Sequence, residues 1–235
     1  MMNISVIGAG YVGLITGIGF AKLNHKVSIV DLNDELIKDL NDSKAPFYEP
    51  ELVDYLNDSN VRDNLFFSTN YQKSIDENTD IVFVCVQTPT DPDTGKTKTD
   101  YISSVLTELK KIESFNFIIC IKSTIKATLV EKISNEIDLD YKKIIFNPEF
   151  LREGSAFYDF FNPDRIVIGG SDQKGLNQCT ELYKSFDCEK IITDSNSSQM
   201  IKYLSNTYIA MRLSFVNETY RLVSEFNGNP EEVLN

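Results

Sequence analysis

The stretch "ISVIGAGYVG", residues 4–13, restricts what this chain can fold into more than any other. Gly8, Gly10 and Gly13 form G-x-G-x-x-G directly after an apolar, β-branched run and at the opening of "YVGLITGIGFAKL", which has helical periodicity. In that setting each glycine has its own reason. Gly8 permits a tight turn, Gly10 lets backbone approach a pyrophosphate, and Gly13 allows close packing of helix on strand. The helix start, with Tyr11 and Val12, then presents unpaired amides and a positive dipole end to phosphates. The next β-rich run, "KVSIVD", ends in Asp31, about 20 residues on, where a carboxylate accepts both ribose hydroxyls and repels a 2′-phosphate. The competing reading is a glycine turn with no ligand, Asp31 capping a helix in "DLND". Strand, glycines, helix and acid in register favour a dinucleotide, and NAD over NADP.

Further β-rich runs follow: "DIVFVCV", "NFIICI", "KIIFNP", "RIVIGG" and "EKIITD". Their near-continuous Val/Ile/Phe content suits strands covered on both faces. "DYISSVLTELKKI" and "KATLVEKISNEI" are helical between them. This order predicts an α/β fold: a doubly wound, mostly parallel, Rossmann-like sheet over 1–194. Residues 195–228 carry apolar residues at helical spacing and stop at Asn227-Gly228. They predict one long connector or dimer-packing helix, followed by the start of a further region at 229–235.

Charge and composition remove several functions. A net charge of −12 argues against nucleic-acid binding, which rests on Lys and Arg neutralising phosphates. No apolar run approaches the ~20 residues of a membrane span, and the N-terminus lacks the pattern of a secretory signal. The expected location is the cytoplasm. Cys85, Cys120, Cys179 and Cys188 form no C-x-x-C pair and read as buried reduced thiols. His25, in the polar turn "KLNHK", reads as a solvated residue. "TDPDTGKTKTD" lacks the later acids of a calcium loop and the earlier glycine of a P-loop, so no metal site is expected.

Three strand-like runs end in chemically loaded loops: "IVFVCVQTPT" with Thr88, "IICIKSTI" with Thr124, and "IIFNPEFLREGSA" with Glu149 and Glu153. In open α/β sheets such loops converge on the ligand. Together with "GAGYVG", "NPDRIVIGG" and "MIKYLSNTYIAMRLSFVNE", these segments make the sequence resemble the nucleotide-sugar dehydrogenases of the UDP-glucose/GDP-mannose dehydrogenase family. The resemblance covers nearly all of this chain, but only the front half to two-thirds of a family member.

The resemblance implies oxidation of a sugar C6 alcohol to a carboxylate with two NAD⁺, through a cysteine thiohemiacetal and thioester. By position, it makes Thr124 the orienter of a catalytic water and Glu149 the acid–base group. Glu153 and Thr88 join Gly8, Gly10, Tyr11, Val12, Gly13, Asp31 and Thr124 as cofactor-binding residues. Phe150 and Leu151 contact the sugar nucleotide through their backbone. Lys202 stabilises the developing oxyanion, with Asn206 beside it. Lys202 and Asn206 stand at i and i+4, on one helix face, and a well-placed donor there is worth about 3 kcal/mol. Arg152 and Arg165 read as structural.

The sequence departs from the family's pattern in two places. The cysteine nucleophile belongs to a glycine-rich motif expected some tens of residues beyond the connector helix, and none of the four cysteines stands in such a setting. Leu36 also stands where some relatives carry an arginine near the adenosine. The expected function is the NAD-binding portion of a nucleotide-sugar 6-dehydrogenase, foremost for UDP-glucose. GDP-mannose and UDP-N-acetylhexosamine are the alternative substrates. A non-catalytic NAD-binding fragment that forms a homodimer through 195–226 is the alternative of another class. A 3-hydroxyacid dehydrogenase shares the early glycines but does not explain "NPEFLREGSA".

Overall fold

Strands and helices alternate along the chain in the computed structural model, which describes residues 1–112 and 116–234. The order opens with β1 (Asn3–Ile7), α1 (Tyr11–Lys22), β2 (Lys26–Val30), α2 (Asp34–Asn41), α3 (Leu52–Asn57) and α4 (Ser59–Arg62). It continues with β3 (Leu65–Ser68), α5 (Tyr71–Ser74), β4 (Ile81–Val84), α6 (Asp100–Lys111), β5 (Ile118–Ile121) and α7 (Ala127–Glu136). Then come β6 (Ile144–Phe146), α8 (Ala156–Phe161), β7 (Arg165–Gly169), α9 (Gln173–Leu182) and β8 (Glu189–Thr193). Two helices complete it, α10 (Ser195–Glu225) and α11 (Pro230–Leu234).

The strands form one eight-stranded sheet in the order β3-β2-β1-β4-β5-β6-β7-β8. Every neighbouring pair is parallel except β6 and β7, which meet at the single register pair Phe146↔Gly169. The mostly parallel, doubly wound sheet is thus the one expected. Strand β3, "LFFS", is an addition that the apolar runs did not mark.

The near-continuous apolar content of the strands follows from burial on both faces. Along β4, Ile81 and Phe83 join one core cluster and Val82 and Val84 the other. Helix α1 covers the first face with Leu14, Ile15 and Ile18; α6 and α7 cover the second with Leu106, Leu109 and Val130. Phe20 anchors the first cluster, stacked on Phe83 at 5.6 Å and edge-on to Phe160 at 5.2 Å. Burying such a ring contributes about 2–3 kcal/mol.

His25 corrects the sequence reading. It is half-buried, packs edge-on to Phe20 at 5.8 Å, and its Nδ1 accepts from the Met2 amide at 3.1 Å. The polar "KLNHK" surroundings hid a ring whose partner lies at the start of the chain.

The chain divides into two compact units, Met1–Gln199 and Met200–Asn235. The long helix expected over 195–228 runs from Ser195 to Glu225. Asn227 takes a left-handed φ of 56° and Gly228 donates to the Val223 carbonyl at 2.9 Å, closing the helix at the Asn-Gly pair. Of the expected region 229–235, Asn235 lies outside the described residues. No helix among the described residues is long and apolar enough to cross a membrane.

Candidate functional site

The crevice beside β1 lies where the strand order turns from 3-2-1 to 4-5-6, the position at which open α/β sheets bind ligands. Two of its glycines are required by the chain itself. Gly8 has φ +100°, and a Cβ there would stand 2.9 Å from the Cys85 carbonyl oxygen; a Cβ at Gly13 would collide with the Gly8 carbonyl oxygen. Gly10 is different. Its φ of −74° suits any residue, and among the described residues no atom beyond its immediate chain neighbours lies within 4 Å of where its Cβ would stand. Gly10 is also the residue that precedes α1, whose first turn carries no acidic side chain and no side-chain cap. Open space before uncapped amides fits a diphosphate.

Asp31, half-buried at the end of β2, accepts from the Ala9 amide at 2.8 Å through Oδ2 and from the Asn33 amide at 3.0 Å through Oδ1. It is not the cap of α2: Asn33 is, accepting from Glu35 and Leu36. An ionised carboxylate has about four acceptor directions. Two remain for the hydroxyls of a ribose, so the residues present fit NAD. Leu36 packs against the core.

The strand-end loops come together as expected. Thr88 Oγ1 donates to the Thr124 carbonyl at 2.9 Å, and Ser123 Oγ donates to the Val86 carbonyl at 2.6 Å. Thr124 is half-buried. The Ile125 amide donates to Gln199 Oε1 at 3.3 Å. In the third loop, Glu149 Oε2 accepts from the Leu151 amide at 2.6 Å, holding a local turn rather than capping a helix. The Arg165 guanidinium lies 4.6 Å from the centre of the Phe150 ring. Arg152 grips Asp159 through two side-chain bonds of 3.1 and 2.6 Å. Both arginines thus have partners within the chain.

Burial raises three of the thiols. It pushes Cys85 up to about 12, and Cys120 well above its ordinary value with help from Cys179, whose Sγ lies 3.9 Å away. Cys188 is only half-buried, against expectation, but burial still raises it.

Two groups escaped sequence reasoning. Lys122, only 6% exposed, directs Nζ at Asn147 Oδ1, 3.1 Å away, and over the Phe83 ring. Tyr183 donates to the same Oδ1 at 2.6 Å, while Asn147 Nδ2 donates to the Val167 carbonyl at 2.8 Å. Burial lowers the Lys122 pKa. Asn147 stands two residues before Glu149 in the same loop. The second group is Glu49, buried and bonded to Tyr11, Gly154 and Ala156. Burial first, and Glu49 next, push the Tyr11 hydroxyl well up, so it remains a donor at neutral pH. A carboxylate among Phe47, Tyr48 and Pro50 was the only sign of it in the sequence.

Lys202 and Asn206 belong to the second unit. They stand one turn apart on α10, Lys202 buried and Asn206 exposed. No cluster of His, Cys, Asp and Glu suited to a metal occurs among the described residues.

Comparison with known proteins shows the family and the fold. Residues 2–187 match the UDP-glucose/GDP-mannose dehydrogenase family, NAD binding domain, and residues 196–235 match the central domain of that family. UDP-glucose 6-dehydrogenase YwqF of Bacillus subtilis is 34% identical over 240 residues, covering 99% of this chain and 53% of YwqF. Among solved structures, a UDP-glucose dehydrogenase from Pyrobaculum islandicum superposes with a TM-score of 0.90 at 32% identity, over 99% of this chain and 55% of that one. A GDP-mannose dehydrogenase from Pseudomonas aeruginosa, solved as a ternary complex, gives 0.89 at 28% identity, over 99% and 56%. The chain thus spans about half the length of the curated relatives it matches. It belongs to the UDP-glucose/GDP-mannose dehydrogenase family, whose NAD-binding portion it supplies.

Proposed function

We propose that this chain is the cofactor half of a nucleotide-sugar 6-dehydrogenase, with UDP-glucose as the substrate. The observation that carries the reading is Gly10: a glycine that nothing in the fold demands, opening onto uncapped helix amides beside Asp31. NAD bound there supplies the hydride acceptor. The chain's own residues then divide the remaining work. Gly8, Gly10, Tyr11, Val12 and Gly13 hold the diphosphate by backbone, and Asp31 the ribose. Thr88 and Glu153 line the cofactor site, and Thr124 orients a water. Glu149 moves the proton, and Phe150 and Leu151 meet the sugar nucleotide through their backbone. Lys202 and Asn206 stabilise the oxyanion.

UDP-glucose is preferred because the curated relative YwqF and the Pyrobaculum structure both carry that name. GDP-mannose is the second reading, supported by the Pseudomonas structure. The apolar side chains exposed on α10, among them Leu204, Ile209, Leu213 and Phe215, support a homodimer through 195–226.

Cys85, Cys120 and Cys179 are buried, and burial raises the Cys85 and Cys120 thiols, which favours a chain that binds NADH without itself oxidising sugar. Fluorescence titration with NADH and an NAD⁺-reduction assay with UDP-glucose test both statements. Binding without turnover is expected. Turnover by these 235 residues would contradict the reading of the thiols, and no binding would contradict the cofactor site. In the full-length protein, faster turnover with GDP-mannose than with UDP-glucose would favour the second reading.

A further inference from the structure

Glu49 is only 4% exposed, yet it is a carboxylate. Its Oε1 accepts from the Ala156 amide at 2.8 Å; its Oε2 accepts from the Gly154 amide at 2.9 Å and from the Tyr11 hydroxyl at 3.0 Å. The Tyr11 hydroxyl also lies 3.1 Å from the Arg152 carbonyl oxygen, and the Tyr11 ring packs 5.4 Å from Phe47. Glu153 is therefore bracketed. The amide after it is held by Glu49, and the carbonyl before it lies beside the Tyr11 hydroxyl, whose single proton goes to Glu49. Tyr11 is itself the first residue of α1, next to Gly10. One carboxylate thus joins the glycine turn to a loop more than a hundred residues further along the chain.

A brace for α8 alone would not need this. Ser155 stands at the residue before α8 and makes no side-chain cap bond there; the Ala156 amide is served by Glu49 instead. Taking a carboxylate out of water costs several kcal/mol unless its oxygens are satisfied. Here three donors from two functional segments satisfy it. We propose that Glu49 is a positioning residue, one that fixes the backbone around Glu153 against the start of α1 so that both present a single geometry to the dinucleotide. The proposal rests on the cofactor site described above.

The test is NADH titration of this chain with thermal unfolding measured alongside. Glu49→Gln keeps the shape but turns one acceptor into a donor, facing at least one amide with another donor. Tyr11→Phe deletes only the hydroxyl. Glu49→Gln should weaken NADH binding about fivefold and Tyr11→Phe about twofold, and the double variant should be no weaker than Glu49→Gln alone, since one shared bond is lost. Variants that melt earlier but bind NADH as the wild type does would reduce Glu49 to a structural brace and overturn the proposal. Fully multiplicative losses in the double variant would also overturn it, because Tyr11 and Glu49 would then act apart. If Glu49→Gln fails to fold, Tyr11→Phe decides on the same criterion: weaker binding supports the link, unchanged binding overturns it. A wild type that binds no NADH removes the cofactor site and this proposal together.

Discussion

The Ala9 amide donates to Asp31 Oδ2 at 2.8 Å, so the acid that ends β2 also holds the turn that ends β1. Replacing Asp31 therefore has two consequences rather than one. Asp31→Ala leaves the Ala9 and Asn33 amides without their acceptor, which costs about 1–2 kcal/mol of stability, and it weakens NADH binding several-fold. Asp31→Asn keeps one acceptor oxygen for Ala9, and should regain stability more than affinity. Urea unfolding and NADH titration separate the two. Unchanged affinity in Asp31→Ala would leave the residue with its loop role only.

Asn147 is the joint of a buried network, satisfying Lys122, Tyr183 and the Val167 carbonyl at once. Asn147→Ala leaves the buried Lys122 Nζ only the long 3.4 Å contact to the residue 147 backbone carbonyl, and should cost about 3 kcal/mol in urea unfolding. Lys122→Met removes the charge along with its need for a partner and should cost less than half as much. The reverse order would show that the ammonium is satisfied from elsewhere.

His25 gives the fold a pH dependence. Burial, reinforced by the positive amino terminus, lowers its pKa below the ordinary value. A group depressed in this way favours the fold in its neutral form. Its contribution is complete above about pH 6.5 and is lost as pH falls from there towards the folded-state value. His25→Asn keeps an acceptor for the Met2 amide but cannot titrate. Between about pH 7.5 and about pH 5.5 the melting temperature of the wild type should fall further than that of His25→Asn. Equal falls would remove His25 as the cause.

The glycine turn, the acid after β2 and the three strand-end loops were legible because each is a local pattern with a mechanism of its own. Strand β3 was not. It is short, lies at the sheet edge, and leaves Phe66 exposed, so it produced no buried run. The antiparallel setting of β7 was equally hidden, since apolar content carries no strand direction. Glu49 and Lys122 escaped for a third reason. Their roles come from partners far along the chain, and a lone Glu or Lys in sequence reads as solvated surface.

Gly10 tests the central claim, that the amides opening α1 receive the cofactor's diphosphate. Its Cβ would stand in open space, so Gly10→Ala should fold and melt within a few degrees of the wild type. NADH affinity, measured by fluorescence titration on that folded variant, should fall more than about tenfold, because the methyl occupies the path by which phosphate reaches the backbone. Affinity equal to that of the wild type would contradict the account, and would move the dinucleotide away from this turn.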